Sequence, residues 1–149
     1  MSEPDLSELH DDAAFPPWGP IMIVKQRFGF EAAHRLPNHR GKCFNLHGHS
    51  YHFTLALDCP VDAGTGMTID FDDIAKIVSD HLLVLWDHKN LNDFMENPTA
   101  ETIVVEIWAR LSGKLPGLVE IELWEMPDSS VVYRGEGMKA GRQSGPTIP

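Results

Sequence analysis

Two long segments in which apolar side chains recur at every second position constrain the fold of this chain most strongly. They cover residues 21–34 and about 46–57, and a period of two places alternate side chains on opposite faces of a strand. The apolar parity of the first segment ends at His34, and the same parity in the second begins with His47 and His49. Both segments are therefore predicted to be strands, with histidines at their facing ends.

Helical spacing replaces this alternation in the middle of the chain. Asp70 is predicted to cap a helix whose apolar side chains follow helical spacing as far as Trp86. A second helix is predicted to begin near Asn97 or Thr99, either of which can cap it, and to end at Gly113. Alternation then returns in two shorter segments that are predicted to form a hairpin: residues 118–125 and 131–134.

The order of these segments predicts an α+β fold. Two strands, two helices and two strands (ββααββ) suit an antiparallel sheet whose one face is covered by the helices. A chain of 149 residues is long enough for one such domain, which we expect to occupy residues 21–135. Residues 1–20, acidic and then proline-rich, are predicted to be an N-terminal extension, and residues 136–149 a flexible C-terminal tail.

Charge and composition argue against several classes of function. The formal net charge of −10 disfavours nucleic acid and anionic membranes as partners, because both require a basic surface. No apolar run approaches the roughly 20 residues that span a bilayer, and the acidic N-terminus lacks the basic and then apolar order of a signal peptide. Cys43 and Cys59 cannot form a disulfide scaffold, so we expect a cytoplasmic protein.

The histidines at the ends of the first two predicted strands are the strongest candidates for a site. Side chains two residues apart on a strand share a face, so His47 and His49 point the same way. If the two strands pair, His34 joins them, and three imidazoles with one open position are typical of catalytic zinc. Two alternatives stay open: Cys43 closes a structural zinc site as a fourth ligand, or the stretch binds no metal. Two other histidines are expected to be plain surface residues: His39 and His52.

Two acidic side chains also need an explanation. Asp87 precedes His88 directly after the first predicted helix, and a carboxylate beside an imidazole can fix its tautomer and raise its pKa for acid–base work. A solvated helix end is the alternative for this pair. Glu125 continues the buried parity of its strand, where an unpaired charge is costly, so a ligand with N–H donors is a reasonable partner. A strand-end carboxylate that reaches solvent is the alternative.

Six motifs follow one another in the chain between about residues 23 and 136: FEAAHRLP, CFNLHGHSYHF, DFDDI, DHKNLND, ENPTAE and VYRGE. In this order and combination they resemble the 6-pyruvoyltetrahydropterin synthase / 6-carboxytetrahydropterin synthase family. The resemblance implies a tunnelling fold (T-fold), in which small α+β subunits join their sheets into barrels. It also implies a homo-oligomer, usually a hexamer built as two trimers, with active sites between subunits.

The resemblance further implies a metal and a base. His34, His47 and His49 match the zinc ligands of the family, which makes Zn²⁺ the expected cofactor. Cys43 matches the catalytic base, which favours a thiol that accepts a proton over a fourth ligand.

The other matched residues concern proton transfer and the pterin ring. His88, with Asp87, matches the second proton-transfer group. Glu125 matches the acid that anchors the pterin through its 2-amino group and ring N–H, and this acid is sometimes included in the proton relay. Thr99 lies in a segment near the pterin pocket of relatives, although a helix cap explains it equally well.

The substrate implied by the resemblance is 7,8-dihydroneopterin triphosphate. In the carboxypterin branch a zinc-dependent lyase releases triphosphate and acetaldehyde and forms 6-carboxy-5,6,7,8-tetrahydropterin, an early step toward queuosine. Three residues separate Cys43 from His47, which resembles this bacterial branch, whereas Met126 stands where relatives often have threonine. The alternatives are a 6-pyruvoyltetrahydropterin synthase and a non-catalytic zinc-binding assembly module.

Overall fold

The structure, a computed structural model, describes residues 19–137. Nearly all of the predicted N-terminal extension and of the predicted C-terminal tail lies outside these residues, so the domain limits of 21 and 135 stay predictions. In chain order the elements are β1 (Ile21–His34), a 3₁₀ turn (Lys42–Phe44), β2 (His47–Pro60), α1 (Phe71–Val78), a π-helical segment (Ser79–Leu83), α2 (Val84–Trp86), β3 (Lys89–Asn90), a second 3₁₀ turn (Leu91–Asp93), α3 (Ala100–Leu111), β4 (Leu118–Met126) and β5 (Ser129–Tyr133). Within the described part of the chain, no helix is both long and apolar enough to cross a membrane.

The five strands form one sheet in the order β3-β1-β2-β4-β5. β1 and β2 pair antiparallel over their whole length, from Ile21 opposite Pro60 to His34 opposite His47. β4 and β5 continue the sheet antiparallel, as predicted. The four predicted strands all pair antiparallel, but the prediction missed β3, which pairs parallel with β1 and makes the sheet mixed. A strand of two residues is too short to leave a periodic signal in the sequence.

The hydrophobic core lies on one face of the sheet, between the strands and the helices. The inward strand residues share the parity that the sequence predicted, and they pack in one cluster with the apolar stripes of the helices. The members of this cluster include Phe30, Ala32, Tyr51, Phe53, Leu55, Leu57, Ile121 and Leu123 from the strands and Ile74, Val78, Leu82, Trp86, Ile103, Ile107 and Leu111 from the helices. The α+β architecture with helices on one face is thereby confirmed.

Both predicted helices begin at predicted caps. The Asp70 side chain accepts a hydrogen bond from the Asp72 N–H at 2.8 Å, and the Thr99 hydroxyl accepts one from the Thr102 N–H at 3.2 Å. The first helix reaches Trp86, as its spacing predicted, but Ser79–Leu83 is π-helical. That segment has one residue more per turn than the pattern of an α-helix anticipates.

A glycine before β4 lets the chain approach β2 closely. Gly117 has φ +86°, and its carbonyl oxygen accepts a hydrogen bond from the Asp58 N–H at 2.7 Å. A Cβ at this position would overlap the carbonyl oxygen of Asp58. Glycine is therefore required here by both conformation and space.

We predict that Gly117→Ala lowers the free energy of unfolding by about 1–3 kcal/mol, because alanine is strained at this φ and displaces β2. Gly113→Ala is the matched control, since a Cβ at Gly113 meets no atom within 4 Å and its φ is not positive. Denaturant titration of both variants measures the difference. Equal stability of the two variants would contradict the prediction.

Candidate active site

The register of β1 and β2 brings three histidines to one corner of the sheet. His34 lies directly opposite His47, and Ala32 lies opposite His49, so all three imidazoles project from the same face. His34 is fully buried, and the other two are half-buried. One ring nitrogen from each lies within 4.8 Å of those of the others. The predicted convergence of these histidines is confirmed, and they are positioned to hold a metal ion.

Backbone carbonyls fix the tautomers of two of these imidazoles. His34 Nδ1 donates to the carbonyl oxygen of Pro98 at 2.7 Å, and His47 Nδ1 donates to that of Asn45 at 2.7 Å. Because a carbonyl can only accept, each Nδ1 carries the proton and each neutral imidazole has its lone pair on Nε2. The two Nε2 atoms nevertheless lie 3.0 Å apart. Two facing lone pairs repel unless a cation lies near both, so the donor set fits a metal ion.

Burial favours the form of these histidines that binds metal. It lowers the pKa of His34 below its ordinary value, against the opposing effects of the Pro98 carbonyl and the Glu125 carboxylate. It likewise lowers the pKa of His49, again against the carboxylate of Glu125. Neutral imidazole is the ligating form, so the corner holds two of its three histidines ready for a metal near neutral pH.

The carboxylate of Glu125 points into the same corner without a hydrogen-bond donor. Its Oε1 lies 3.4 Å from His34 Nε2 and 3.8 Å from His49 Nε2, and neither contact has hydrogen-bond geometry. This oxygen is buried and unsatisfied among the described residues. Of the two alternatives for Glu125, the structure favours an inward-pointing acid over a carboxylate that reaches solvent, since this oxygen is buried.

A cavity of about 410 Å³ adjoins the three histidines and Glu125. Cys43, half-buried in the first 3₁₀ turn, lines this cavity. Its sulfur does not belong to the compact group of nitrogen ligands that His34, His47 and His49 form within the described residues. The geometry therefore favours an open site made by three histidines over a closed site with a fourth, sulfur ligand.

Asp87 and His88 pair with each other at the end of α2. Asp87 Oδ2 lies 3.0 Å from His88 Nδ1, while Oδ1 accepts a hydrogen bond from the Glu31 N–H at 2.9 Å. The Glu31 N–H and the His88 imidazole together hold the pKa of Asp87 below its ordinary value. His88 has φ +59°, and its side chain is 77% exposed. The bound carboxylate orients an imidazole that faces outward.

Within one chain, the structure does not bring this pair to Cys43. His88 lines a second cavity, about 520 Å³ in volume, whereas Cys43 lines the first. His49 lies between them and lines both.

Thr99 serves as a helix cap and also lines a third cavity, about 390 Å³ in volume, together with Glu101 and Glu125. Both interpretations of Thr99 are therefore compatible with its position. His39 is exposed and accepts a hydrogen bond from the Gly41 N–H, and His52 lies half-buried on the other face of β2.

Sequence reasoning missed two groups that hold His34. The hydroxyl of the fully buried Tyr51 lies 3.2 Å from His34 Nδ1, beside the Pro98 carbonyl. Tyr51 shares the parity of the histidines, which was a usable signal. The sequence held no signal for the contact with the Pro98 carbonyl, because this is a backbone group 64 residues from His34.

Comparison with known proteins gives consistent matches. The family model described as 6-pyruvoyl tetrahydropterin synthase matches residues 23–136. The 6-carboxy-5,6,7,8-tetrahydropterin synthase of Synechocystis sp. is 40% identical over 124 residues, which cover 76% of this chain and 93% of that protein. The 6-pyruvoyl tetrahydrobiopterin synthase of Homo sapiens is 32% identical, with 76% of this chain and 91% of that protein covered.

A solved structure supports the same relationship. The 6-pyruvoyl tetrahydropterin synthase of Caenorhabditis elegans superposes with a TM-score of 0.72 at 28% identity, covering 78% of this chain and 97% of that chain. The expected tunnelling fold and the resemblance carried by the six motifs are thereby confirmed.

We predict that the chain binds one Zn²⁺. His34→Ala, His47→Ala and His49→Ala should each lower the affinity for zinc by more than roughly 10–100-fold, which is the usual loss when a residue that only hydrogen-bonds to a metal ligand is removed. Equilibrium dialysis with metal analysis measures the affinity. His52→Ala, on the other face of the same strand, is the matched control and should bind zinc normally. Loss of zinc from Cys43→Ala would contradict the open site and favour the closed one.

Proposed function

Because the chain belongs to the 6-pyruvoyl tetrahydropterin synthase family, a family of enzymes, we propose that it is a zinc-dependent lyase acting on 7,8-dihydroneopterin triphosphate. The proposed products are 6-carboxy-5,6,7,8-tetrahydropterin, acetaldehyde and triphosphate, an early step toward queuosine. One observation carries the proposal: three histidines with facing lone pairs, a donorless carboxylate and a thiol surround one cavity.

The metal and the thiol have complementary parts in this proposal. His34, His47 and His49 would hold Zn²⁺, which supplies a Lewis acid that polarises the side-chain hydroxyls of the substrate. Cys43 lines the same cavity and removes a proton from the carbon chain as its thiolate. A base that is free of the metal can exchange protons during turnover, whereas a coordinated thiolate cannot.

Glu125 and Thr99 would receive the pterin ring. A 2-aminopterin presents two N–H donors side by side, and the buried Oε1 of Glu125 lacks a donor. The cavity that Glu125 shares with Thr99 and Glu101 is acidic, which suits N–H donors and disfavours a triphosphate. With the ring anchored at Glu125, the side chain of the substrate would extend toward the histidines. The nearest of them is His34, whose Nε2 lies 3.4 Å from Glu125 Oε1.

We propose that Asp87 and His88 act in the site of a neighbouring subunit. His88 is exposed and lies outside the cavity of Cys43, so a second chain can bring the two together. The sheet supports such an assembly, because among residues 19–137 only β3 pairs with the outer edge of β1, at Ala32 and Ala33. The part that no described strand pairs with includes the exposed Ile21 and Ile23, and such an edge favours a partner strand. A hexamer of two trimers is the proposed assembly.

The carboxypterin product is favoured over the pyruvoyl product by two observations. Three residues separate Cys43 from His47, and the Synechocystis relative is 40% identical. Formally, loss of triphosphate gives the pyruvoyl compound, and addition of water across the bond between its two carbonyl carbons then gives the carboxylate and acetaldehyde. The second candidate, a 6-pyruvoyltetrahydropterin synthase, stops before that cleavage.

We expect turnover of 7,8-dihydroneopterin triphosphate to release triphosphate and acetaldehyde in equal amounts. A coupled alcohol dehydrogenase assay measures the acetaldehyde, and phosphate analysis after pyrophosphatase treatment measures the triphosphate. Triphosphate without acetaldehyde would identify the pyruvoyl reaction. Zinc binding without either product would favour the non-catalytic assembly module.

We further predict that Cys43→Ala and His88→Ala each keep zinc but lose roughly 10²–10⁴-fold in kcat, the usual cost of removing a general acid or base. Mixed oligomers reassembled from the two inactive variants should regain activity, because some sites then combine an intact Cys43 with an intact His88 from a neighbour. Random mixing restores at most about one site in four, one half times one half.

Glu96→Ala mixed with Cys43→Ala provides the matched control for reassembly, since Glu96 is exposed and lines none of the three cavities. Glu96→Ala keeps both Cys43 and His88, so the activity of this mixture shows how much is recovered when one of the two mixed chains is fully functional. No recovery in the Cys43→Ala and His88→Ala mixture would place both residues in the site of one chain.

A further inference from the structure

The side chain of Asn92 continues the pairing of β1 beyond the end of that strand. β3 pairs only with Ala32 and Ala33. Asn92 Oδ1 then accepts a hydrogen bond from the Arg35 N–H at 2.8 Å, and Asn92 Nδ2 donates to the Arg35 carbonyl oxygen at 2.9 Å. A carboxamide that exchanges two hydrogen bonds with one residue takes the place of a neighbouring strand's backbone. Arg35 is thus held although β1 has ended at His34.

The residue after Arg35 fixes the turn that carries Cys43. The Leu36 N–H donates to the Cys43 carbonyl oxygen at 2.8 Å and closes the loop between β1 and β2. Leu36 and Cys43 line the same cavity. A displacement of Arg35 therefore reaches Cys43 through one peptide unit and one hydrogen bond.

Asn92 has a firm support on its other side. Its N–H donates to Asn90 Oδ1 at 3.0 Å, and the intervening Leu91 is fully buried in the core. Asp93, on the same 3₁₀ turn, is exposed, and its side chain makes no hydrogen bond to the described part of β1. On this turn, the Asn92 side chain therefore holds Arg35, and the neighbouring Asp93 side chain does not.

We propose that Asn92 is a positioning residue for the Cys43 thiol. The inference rests on the proposed function, in which Cys43 removes a proton from the substrate. A misplacement of about 1 Å in a reacting group can cost roughly 10²-fold in rate. The clamp from Asn92 to Arg35 therefore acts on kcat and leaves the affinity for zinc, which the histidines determine, unchanged.

Kinetics of single variants give the first test. Asn92→Ala should lower kcat roughly 10–100-fold with KM and zinc content close to those of the wild type. Asn92→Asp keeps the acceptor for the Arg35 N–H but sets a carboxylate oxygen against the Arg35 carbonyl oxygen, so it should also lower kcat. Asp93→Ala is the matched control and should retain wild-type kcat. A wild-type kcat in Asn92→Ala overturns the proposal.

A double-mutant cycle separates positioning from a general structural effect. In the Cys43→Ala background, Asn92→Ala should lower the residual rate no further, because the residue acts through the absent thiol. An equal fold-loss in both backgrounds would mean that Asn92 supports the site in some other way, and it overturns the proposal.

Hydrogen exchange tests the clamp without any turnover. The Leu36 amide should exchange faster in Asn92→Ala than in the wild type or in Asp93→Ala, because its partner turn is released. Unchanged exchange overturns the proposal even if the enzyme is active. Faster exchange in a protein without synthase activity refutes the proposed function and leaves the clamp in place.

Discussion

The antiparallel pairing of β1 with β2 determines both the core and the candidate metal centre. One register places His34 opposite His47 at one end and the core residues Phe30 and Phe53 on the same face further along. Since side chains alternate, a shift of one residue in either strand would move the histidine and the apolar side chains of that strand together to the other face of the sheet. Burial of the core thus enforces the geometry of the site, and the site needs no separate scaffold.

The polar groups of the site are held mainly by backbone. Pro98 and Asn45 carbonyls set the tautomers of His34 and His47, and the Glu31 N–H binds Asp87. Backbone groups of a packed sheet and of its adjoining loops are rigid partners, so the imidazoles and the carboxylate are oriented before a ligand arrives. The exception is Glu125, whose buried oxygen has no hydrogen-bond partner among the described residues.

Features that depend on a side-chain period or on a helix cap could be predicted from the sequence. The alternation from residue 47 onward predicted that His47, His49 and Tyr51 share a face, and Asp70 and Thr99 were recognisable as caps. Features that depend on contacts distant in sequence left no pattern. β3 has only two residues, and the role of the Pro98 carbonyl follows from packing alone. The distance of Asp87 and His88 from the thiol likewise follows from how the chain folds, which spacing along the chain does not encode.

The π-helical segment Ser79–Leu83 makes the length of the first helix a constraint in its own right. Each residue of an α-helix turns the chain by about 100°, so one extra residue in a regular helix would rotate everything after it by that angle, whereas a wide π-helical turn takes up the extra residue. Trp86 is buried and Asp87 reaches the Glu31 N–H with this extra residue in place. A regular α-helix over the same residues would instead rotate the tryptophan out of the core and turn the carboxylate away from the first strand. The wide turn therefore allows this stretch to contain one residue more than a regular helix while Trp86 stays in the core and the Asp-His pair stays beside β1.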